Sequence, residues 1–352
     1  MQKTTRFLLI LTLVALLLSA CGNPTPAAQP QNTPVVQSQE TATPQTPNTP
    51  IPQASDTPTP QPDTLKGTIT VSGAFALYPM MTRWAEEFQK IHPNVQFDIS
   101  GGGAGKGMTD ALSGAVDIGM VSRAIKPEEV SQGAFYVGCV KDAVFPVVNA
   151  KNPIITDILA KGITQDTFRK IFITGEIKTW GEVVGKPEIT DEIHLYTRSD
   201  AAGAADVWAQ FMGGKGQADL KGIGVNGDPG LLDAVVKDPL GIGYNNLGYA
   251  FDLSTGNPPA GAVVVPIDAN KNGTADPDET LSKMSQASDA VATGKYPSPP
   301  GRVENLVTKG KPSGLVQAFI VWTLTDGQKF VPEAGFVQLT PDLLAEALAK
   351  VK

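Results

Sequence analysis

Gly67-Thr-Ile-Thr-Val-Ser72 alternates polar and apolar residues as a half-buried β-strand does, and the turn Gly73-Ala74-Phe75 follows it directly. A helical pattern then begins with Pro79 in its first turn, where the missing proline N–H costs no intrahelical hydrogen bond. A strand, a glycine-containing turn and a helix in this order are the βα unit of α/β proteins. The helix is predicted to bury a stripe made of Leu77, Met80, Met81, Trp84, Ala85, Phe88 and Ile91.

A second unit of the same kind carries a glycine-rich loop. A predicted strand at 95–99 leads into Ser-Gly-Gly-Gly-Ala-Gly-Lys-Gly at 100–107, and a helix at 108–113 and a strand at 116–121 follow. The loop is not a nucleotide P-loop, because Gly107 stands where that motif requires Ser or Thr. Glycine lets a ligand approach the backbone closely, although a tight turn without a binding role has the same composition.

A third unit places an arginine between a predicted strand at 193–197 and a predicted helix at 205–212. The connecting turn, 198–204, reads Arg-Ser-Asp-Ala-Ala-Gly-Ala. Each of the three predicted helices begins with unpaired N–H groups and a partial positive charge. Three such helix starts that converge make a site for a phosphate-sized anion, and Arg198 adds a charged donor.

Several segments, in this order along the chain, resemble the phosphate-binding proteins of ABC-type phosphate importers. They are 73–79, 101–106, Val-Asp-Ile-Gly-Met-Val-Ser-Arg at 116–123, Phe-Arg-Lys-Ile-Phe-Ile-Thr-Gly-Glu-Ile-Lys-Thr-Trp at 168–180, 198–204 and Gly-Ile-Gly-Tyr at 241–244. The resemblance implies a type II periplasmic-binding-protein fold, in which two α/β lobes enclose the solute. Lobe 1 would comprise 65–145 and 245–352, lobe 2 would comprise 146–244, and two crossover segments would join them.

The resemblance also implies a set of ligand-binding residues. They are Ala74, Phe75, Gly102, Gly103, Lys106, Ser122, Arg123, Arg198, Ala202, Gly203 and Ala204. The family usually carries hydroxyl groups near three of these loops where this chain has Ala or Gly, and some members carry a carboxylate in place of Ser122. Backbone N–H donors survive such changes, so a small anion is expected. Phosphate is the preferred candidate, and another oxyanion or a small organic acid is the alternative. Asp117 is expected either to bind the ligand or to have a structural role.

The N-terminus indicates export. Lys3 and Arg6 precede an uncharged, mostly apolar stretch, and Leu-Ser-Ala-Cys at 18–21 is typical of a lipoprotein cleavage site after a signal peptide at 1–20. Cys21 would carry the lipid, with a plain secretory signal as the alternative. Residues 22–64 hold eleven of the 29 prolines and no Lys, Arg or aromatic residue, which predicts a disordered spacer. The protein is therefore expected outside the cytoplasm, anchored to the membrane by lipid.

A calcium loop is predicted at 268–279. Oxygen ligands fall at loop positions 1, 3, 5, 7, 9 and 12, with Gly273 at position 6 for the sharp turn. The candidate ligands are Asp268, Asn270, Asn272, Thr274, Asp276 and Glu279. One structural Ca²⁺ far from the solute is predicted, and a solvated acidic loop is the alternative.

Charge and residue types narrow the function further. The formal net charge is -7 and no basic run is present, which argues against a nucleic-acid partner. His92 and His194 are the two histidines, and neither lies near a plausible serine nucleophile in sequence, so a phosphatase or esterase is disfavoured. Cys139 would be a buried thiol without a disulfide partner. We predict a monomeric binding protein that is not an enzyme and serves an ABC importer permease. Use in sensing or surface adhesion is the alternative.

Overall fold

A computed structural model of the protein describes residues 65–352. The predicted signal peptide 1–20, the lipidation site Cys21 and the spacer 21–64 lie outside the described residues. Within 65–352, no helix is both long enough and apolar enough to cross a membrane.

One mixed sheet contains nine strands of the described region. Its order is β2-β1-β3-β9-β4-β7-β5-β6, and β8 pairs with the end of β4 on the edge opposite β7. The strands are β1 (Gly67–Gly73), β2 (Val95–Gly101), β3 (Ile118–Val121), β4 (Ala134–Asn149), β5 (His194–Arg198), β6 (Ile223–Val225), β7 (Gly241–Asn246), β8 (Ala262–Val264) and β9 (Gly301–Lys309).

Helices fill the connections between these strands. They are α1 (Tyr78–Ile91), α2 (Ala104–Ser113), α3 (Pro127–Ser131), α4 (Ile155–Lys161), α5 (Gln165–Arg169), α6 (Trp180–Val184), α7 (Gly203–Phe211), α8 (Gly227–Lys237), α9 (Leu247–Ala250), α10 (Met284–Thr293), α11 (Gly314–Thr323) and α12 (Pro341–Val351). A π-helical turn at Lys170–Thr174 and 3₁₀ turns at Gln217–Asp219 and Asp326–Phe330 complete the set.

The first predicted βα unit forms as expected. β1 lies parallel to both β2 and β3, and the apolar side chains of Ile69 and Val71 are buried. The buried stripe of α1 ends at Phe88, because Ile91 in the last turn is 51% exposed. Trp84 is fully buried, and its Nε1 donates to the carbonyl of Gly327 at 2.9 Å. This bond ties α1 to the C-terminal part of the chain.

The long strand β4 contributes to two separate hydrophobic cores. Its first half pairs with β9 and ends that pairing at Ala143, which faces Gly301. Its second half pairs with β7 from Val144, which faces Asn246. Residues such as Val137 pack in the first core, and the second half of β4 packs in the second. The type II periplasmic-binding-protein architecture with two α/β lobes is thus confirmed.

The segment between β7 and β9 differs from the predicted lobe division. Its buried side chains, including Leu247, Phe251 and Tyr296, join the second core, although the sequence assigned 245–352 to lobe 1. The difference arises from strand pairing. β8 lies antiparallel to the second half of β4, so the chain segments on either side of β8 pack on the second core. The chain returns to the first core with β9 and α11.

Candidate anion-binding site

Two helix starts approach each other at the junction of the two cores. The helix α2 begins at Ala104 and α7 begins at Gly203, earlier than the predicted starts at Met108 and Ala205. Gly103 precedes α2 with φ of 88°, a conformation that glycine adopts without strain. Residues that were predicted to lie in turns therefore form the first turn of each helix. N–H groups in the first turn of a helix have no acceptor within that helix, so they are suited to bind an anion.

A narrow cavity lies where these helix starts meet. It is partly open at its mouth and, in this structure, too narrow to hold a water molecule. Eight of the predicted ligand-binding residues line it, namely Ala74, Phe75, Gly103, Ser122, Arg198, Ala202, Gly203 and Ala204. The loops after β1, β2 and β5 thus converge, together with Ser122 directly after β3.

Arg198 is the buried cation of this cavity. Its side chain is 2% exposed. Nε and Nη2 donate to Asp200 at 2.8 and 2.6 Å, and Nη1 donates to Asp228 at 2.6 Å. Burial alone would lower the pKa of Arg198, but Asp228 and Asp200 outweigh that effect and raise it. The guanidinium thus stays charged, and two of its five N–H groups remain for a ligand.

An aromatic ring covers the guanidinium. The centroid of Phe75 lies 5.5 Å from the Arg198 Cζ, within the range of a cation–π contact. The carbonyl of Phe75 accepts a hydrogen bond from the Tyr249 hydroxyl at 3.3 Å. Phe75 therefore links the loop after β1 to Arg198, the last residue of β5, and shields the charge from water.

The two lobes contact each other at glycine positions around the cavity. The N–H of Gly105 donates to the carbonyl of Ala201 at 2.9 Å, a hydrogen bond between lobes. A methyl group added to Gly105 would lie 2.5 Å from the Ala201 Cβ, and one added to Gly203 would collide with Ser122. These glycines permit the closed arrangement of the lobes.

Three predicted ligand-binding residues do not line the cavity. The Lys106 ammonium pairs with Asp110, one helical turn further on, and the aliphatic part of its side chain lies against Gly102. Arg123 donates from Nη2 to Glu129 at 2.7 Å and from Nη1 to the Ala124 carbonyl. Gly102, Lys106 and Arg123 therefore lie outside the cavity lining, nearby acidic groups pair with the two cations, and the ligand-binding roles of these three residues stay a prediction.

Asp117 has a structural position. Its Oδ2 accepts from the backbone N–H and the hydroxyl of Thr70, both at 2.8 Å. The carboxylate therefore fixes β1 beside the approach to β3, and of the two roles left open the geometry favours the structural one.

The sequence did not reveal two polar residues of the cavity wall. Asp228 and Asn246 line the cavity and are buried. Asp228 Oδ1 accepts from the backbone N–H and the Nδ2 of Asn246, at 3.1 and 2.8 Å. Asp228 belongs to a fourth βα unit, which is formed by β6 and α8. In the sequence, the short strand and the glycine that follows it are the features that could have indicated this unit.

The predicted calcium loop folds on itself. Asp268 is 2% exposed, and its carboxylate accepts from the backbone N–H groups of Asn272 and Gly273 at 3.1 and 3.0 Å. Asn270 and Asn272 both face Asp276 through Nδ2, at 2.7 and 2.9 Å. Across 65–352, no group of three or more His, Cys, Asp or Glu side chains is arranged around a metal-sized point. A cation here would thus require the loop side chains to rearrange, with the two asparagine amides turned so that Oδ1 replaces Nδ2.

Comparison with known proteins places the chain in a family. A family model described as the PBP superfamily domain matches residues 58–327. The phosphate-binding protein PstS of Bacillus subtilis is 27% identical over 276 residues, which are 78% of this chain and 81% of that protein. PstS of Methanocaldococcus jannaschii is also 27% identical, over 78% of this chain and 84% of its own length.

Solved structures agree on the fold. A Clostridium perfringens structure with bound phosphate has a TM-score of 0.63 and 24% identity, over 78% of this chain and 100% of that one. An ABC-type phosphate transport receptor from Vibrio cholerae has a TM-score of 0.56 and 20% identity over the same shares. With the family model covering most of the described residues, the chain belongs to the PBP superfamily.

Proposed function

We propose that the protein captures phosphate outside the cytoplasm and delivers it to an ABC importer permease. The observation that carries the proposal is the convergence of the charged Arg198 with the starts of α2 and α7 around one narrow cavity. The relatives named phosphate-binding protein PstS support phosphate as the solute. Capture in this cavity requires hydrogen bonds and charge, with no covalent step.

Lobe closure would contribute most of the binding free energy. The cavity excludes water, so each N–H donor that faces the anion interacts with it more strongly than in solvent. Arg198 is also paired with two carboxylates, because it contacts both Asp228 in the cavity wall and Asp200 behind it. An anion that still carries a proton can donate it to a carboxylate, whereas sulfate has none to offer. This difference favours hydrogen phosphate over sulfate.

The first test replaces the buried cation. We expect Arg198→Ala to weaken phosphate binding by about a hundredfold or more, because a charged hydrogen bond of roughly 1.5–3 kcal/mol is lost and two buried carboxylates remain unpaired. Isothermal titration calorimetry at pH 7 measures the affinity. Arg83→Ala is the matched control, because Arg83 also covers an aromatic ring, at 5.0 Å from the Phe330 centroid, yet pairs with Glu333 away from the cavity. Unchanged affinity in Arg198→Ala would remove Arg198 from the site.

The remaining parts of the proposal concern the partners. We propose that the protein acts as a monomeric receptor and not as an enzyme, in line with relatives that are named as binding proteins. A lipid on Cys21 would hold it at the membrane, and Cys21→Ser would then shift the protein from the membrane fraction to the soluble fraction. Retention of that variant in the membrane fraction would exclude the anchor.

We also propose that the loop 268–279 binds one Ca²⁺ as a structural ion. The six candidate oxygens follow the EF-hand spacing, and Asp268 and Glu279 already organise backbone N–H groups of the loop. We expect millimolar CaCl₂ to raise the thermal unfolding midpoint by a few degrees, because a ligand of the folded state stabilises it. Glu279→Gln should abolish the shift, while Glu188→Gln, on an exposed residue, should keep it. An equal shift in the Glu279 variant would reject the site.

A further inference from the structure

A buried polar cluster occupies the point where β4 passes from one core to the other. We call Asp142, Asn246, Arg302 and Glu304 the crossover cluster. Asp142 lies in β4 directly before Ala143 and Val144, the point at which the partner strand of β4 changes from β9 to β7. Arg302 and Glu304 lie near the start of β9, and Asn246 ends β7. The cluster thus sits on the strands that join the two lobes.

One guanidinium nitrogen holds the cluster together. Arg302 Nη2 donates to Asp142 Oδ2 at 3.1 Å, to Glu304 Oε1 at 2.9 Å and to Asn246 Oδ1. The Arg302 side chain is 5% exposed, and Asp142 and Glu304 are at most 1% exposed. Arg302 Nε and Nη1 and Glu304 Oε2 are buried without a partner among the described residues. The single nitrogen is therefore shared among three acceptors.

Asn246 connects this cluster to the anion cavity. Its Oδ1 accepts from Arg302, while its backbone N–H and Nδ2 donate to Asp228 Oδ1. Asp228 Oδ2 in turn accepts from Arg198 Nη1 at 2.6 Å. A continuous relay of buried hydrogen bonds thus runs from Arg302 through Asn246 and Asp228 to the cation of the cavity.

The charges of the cluster balance only with one proton. Two carboxylates against one arginine would leave an uncompensated negative charge in a dry environment. Burial raises the pKa of Glu304 well above its ordinary value; Arg302 opposes this rise and Asp142 adds to it. Burial also raises the pKa of Asp142. The other groups nearby are the Cys139 thiol, which donates to the Glu304 carbonyl, and the Tyr296 hydroxyl, which donates to the Val144 carbonyl.

We propose that the crossover cluster positions Arg198 for anion binding through Asn246 and Asp228, and that Glu304 carries the proton which keeps the cluster neutral. With Glu304 neutral, Arg302 holds Asn246 in place. When Glu304 loses its proton, the guanidinium is drawn to two carboxylates and its hold on Asn246 weakens. Glu304 and Asn246 are positioning residues that act through Asp228. The inference rests on the proposed anion binding in the cavity.

The test is a pH series of phosphate affinities from pH 6 to pH 10 for the full chain and for Glu304→Gln, which mimics the neutral acid. Ionisation of phosphate affects both proteins equally, so the ratio of their affinities isolates Glu304. We expect this ratio to rise with pH in favour of Glu304→Gln, whereas Glu188→Gln, on an exposed residue, should follow the unmodified chain. A ratio that stays constant over the range overturns the proposal.

A second variant tests the relay directly. Asn246→Asp keeps the volume and the acceptor for Arg302 but replaces the Nδ2 donor to Asp228 with an acceptor. We expect phosphate affinity at pH 7 to fall by about tenfold or more, since a hydrogen bond to a charged group is lost. Unchanged affinity in this variant contradicts the relay.

A third measurement separates this inference from the proposed function. Because the folded state holds the Glu304 proton more tightly, unfolding stability is present at low pH and lost as pH rises through the folded-state pKa. Urea unfolding should show a steeper loss of stability, as the pH rises above the ordinary glutamate pKa, in the unmodified chain than in Glu304→Gln, whatever the solute is. If the chain does not bind phosphate but this difference appears, the solute assignment fails while the proton on Glu304 stands. Equal slopes in urea would reject the proton.

Discussion

Asp228 illustrates what a single residue does in the cavity wall. One carboxylate oxygen contacts Arg198 Nη1 at 2.6 Å, and the other accepts two hydrogen bonds from Asn246. The Arg198 contact leaves an unused lone pair on Oδ2, which can accept the proton of hydrogen phosphate. Sulfate carries no such proton at neutral pH, and its charge would face the carboxylate directly.

Asp228→Asn should therefore reduce discrimination between the two anions. We expect phosphate affinity to fall by about tenfold, the value of one charged hydrogen bond, while sulfate affinity stays equal or rises because a repulsive charge is gone. Calorimetric titration with each salt measures both. Asp200→Asn is the control, because Asp200 also pairs with Arg198 but does not line the cavity, so both affinities should fall together. A parallel loss in Asp228→Asn would contradict the proton-acceptor role.

Residues of the cavity lining could be predicted from sequence where they lie in the turn between a strand and the next helix. Gly103, Arg198 and Gly203 follow from their turns between strand and helix. The sequence also contained the partner of Lys106. Asp110 lies four residues later, and oppositely charged residues at this spacing meet on one face of a helix, so the Lys106 ammonium pairs with Asp110. Asp228 required knowledge of which distant strands pair, since its partner Arg198 lies 30 residues away in sequence, and Asn246 joins this pair only through its hydrogen bonds to Asp228.

At the scale of elements, the glycine-rich loop serves contact between α2 and the loop after β5. Gly105 is the second residue of α2, and its N–H bonds the Ala201 carbonyl. The sequence predicted three of the four βα units around the cavity because strand and helix periodicities differ clearly there. It placed the helix starts two to four residues late, because small residues such as Ala104 and Gly203 give no periodic signal.

Gly105→Ala should weaken phosphate binding by hindering lobe closure, without lowering the stability of the protein. The added methyl group meets Ala201 Cβ at 2.5 Å in the closed state, and overpacking of this kind costs about 1–3 kcal/mol, so phosphate affinity should fall by about tenfold. Stability without phosphate should stay equal or rise by up to about 1 kcal/mol, because alanine restricts the unfolded chain. Calorimetry and urea unfolding give the two values.

The control for this variant is Gly230→Ala in α8, where the nearest atom would lie 4.0 Å from the new methyl group. Its phosphate affinity should match that of the unmodified chain. The double variant with Gly105→Ala and Ala201→Gly should regain affinity, since the clash is relieved. Full affinity in Gly105→Ala alone would mean that the lobes do not approach this closely when the anion is bound.

At the scale of the whole molecule, the two lobes share one strand. The first half of β4 buries Val137 and Val140 in the first core, and the second half buries Phe145 and Val147 in the second. The family resemblance implied two lobes, but it could not show that 247–296 packs in the second core, because that depends on β8 pairing with β4. A shared strand makes separate unfolding of either lobe costly, since it would leave half of β4 without its sheet.

Thermal unfolding of residues 65–352 should accordingly show one transition that phosphate moves as a whole. At a phosphate concentration of 100 times the dissociation constant, binding adds about 2.7 kcal/mol to the stability of the folded state. For a chain of this size, that corresponds to an increase in the midpoint on the order of 5 °C. Differential scanning calorimetry with and without phosphate measures the shift, and sodium sulfate at equal ionic strength is the control. Two transitions, of which only one responded to phosphate, would show that β4 does not couple the lobes, because a ligand between coupled lobes must stabilise both.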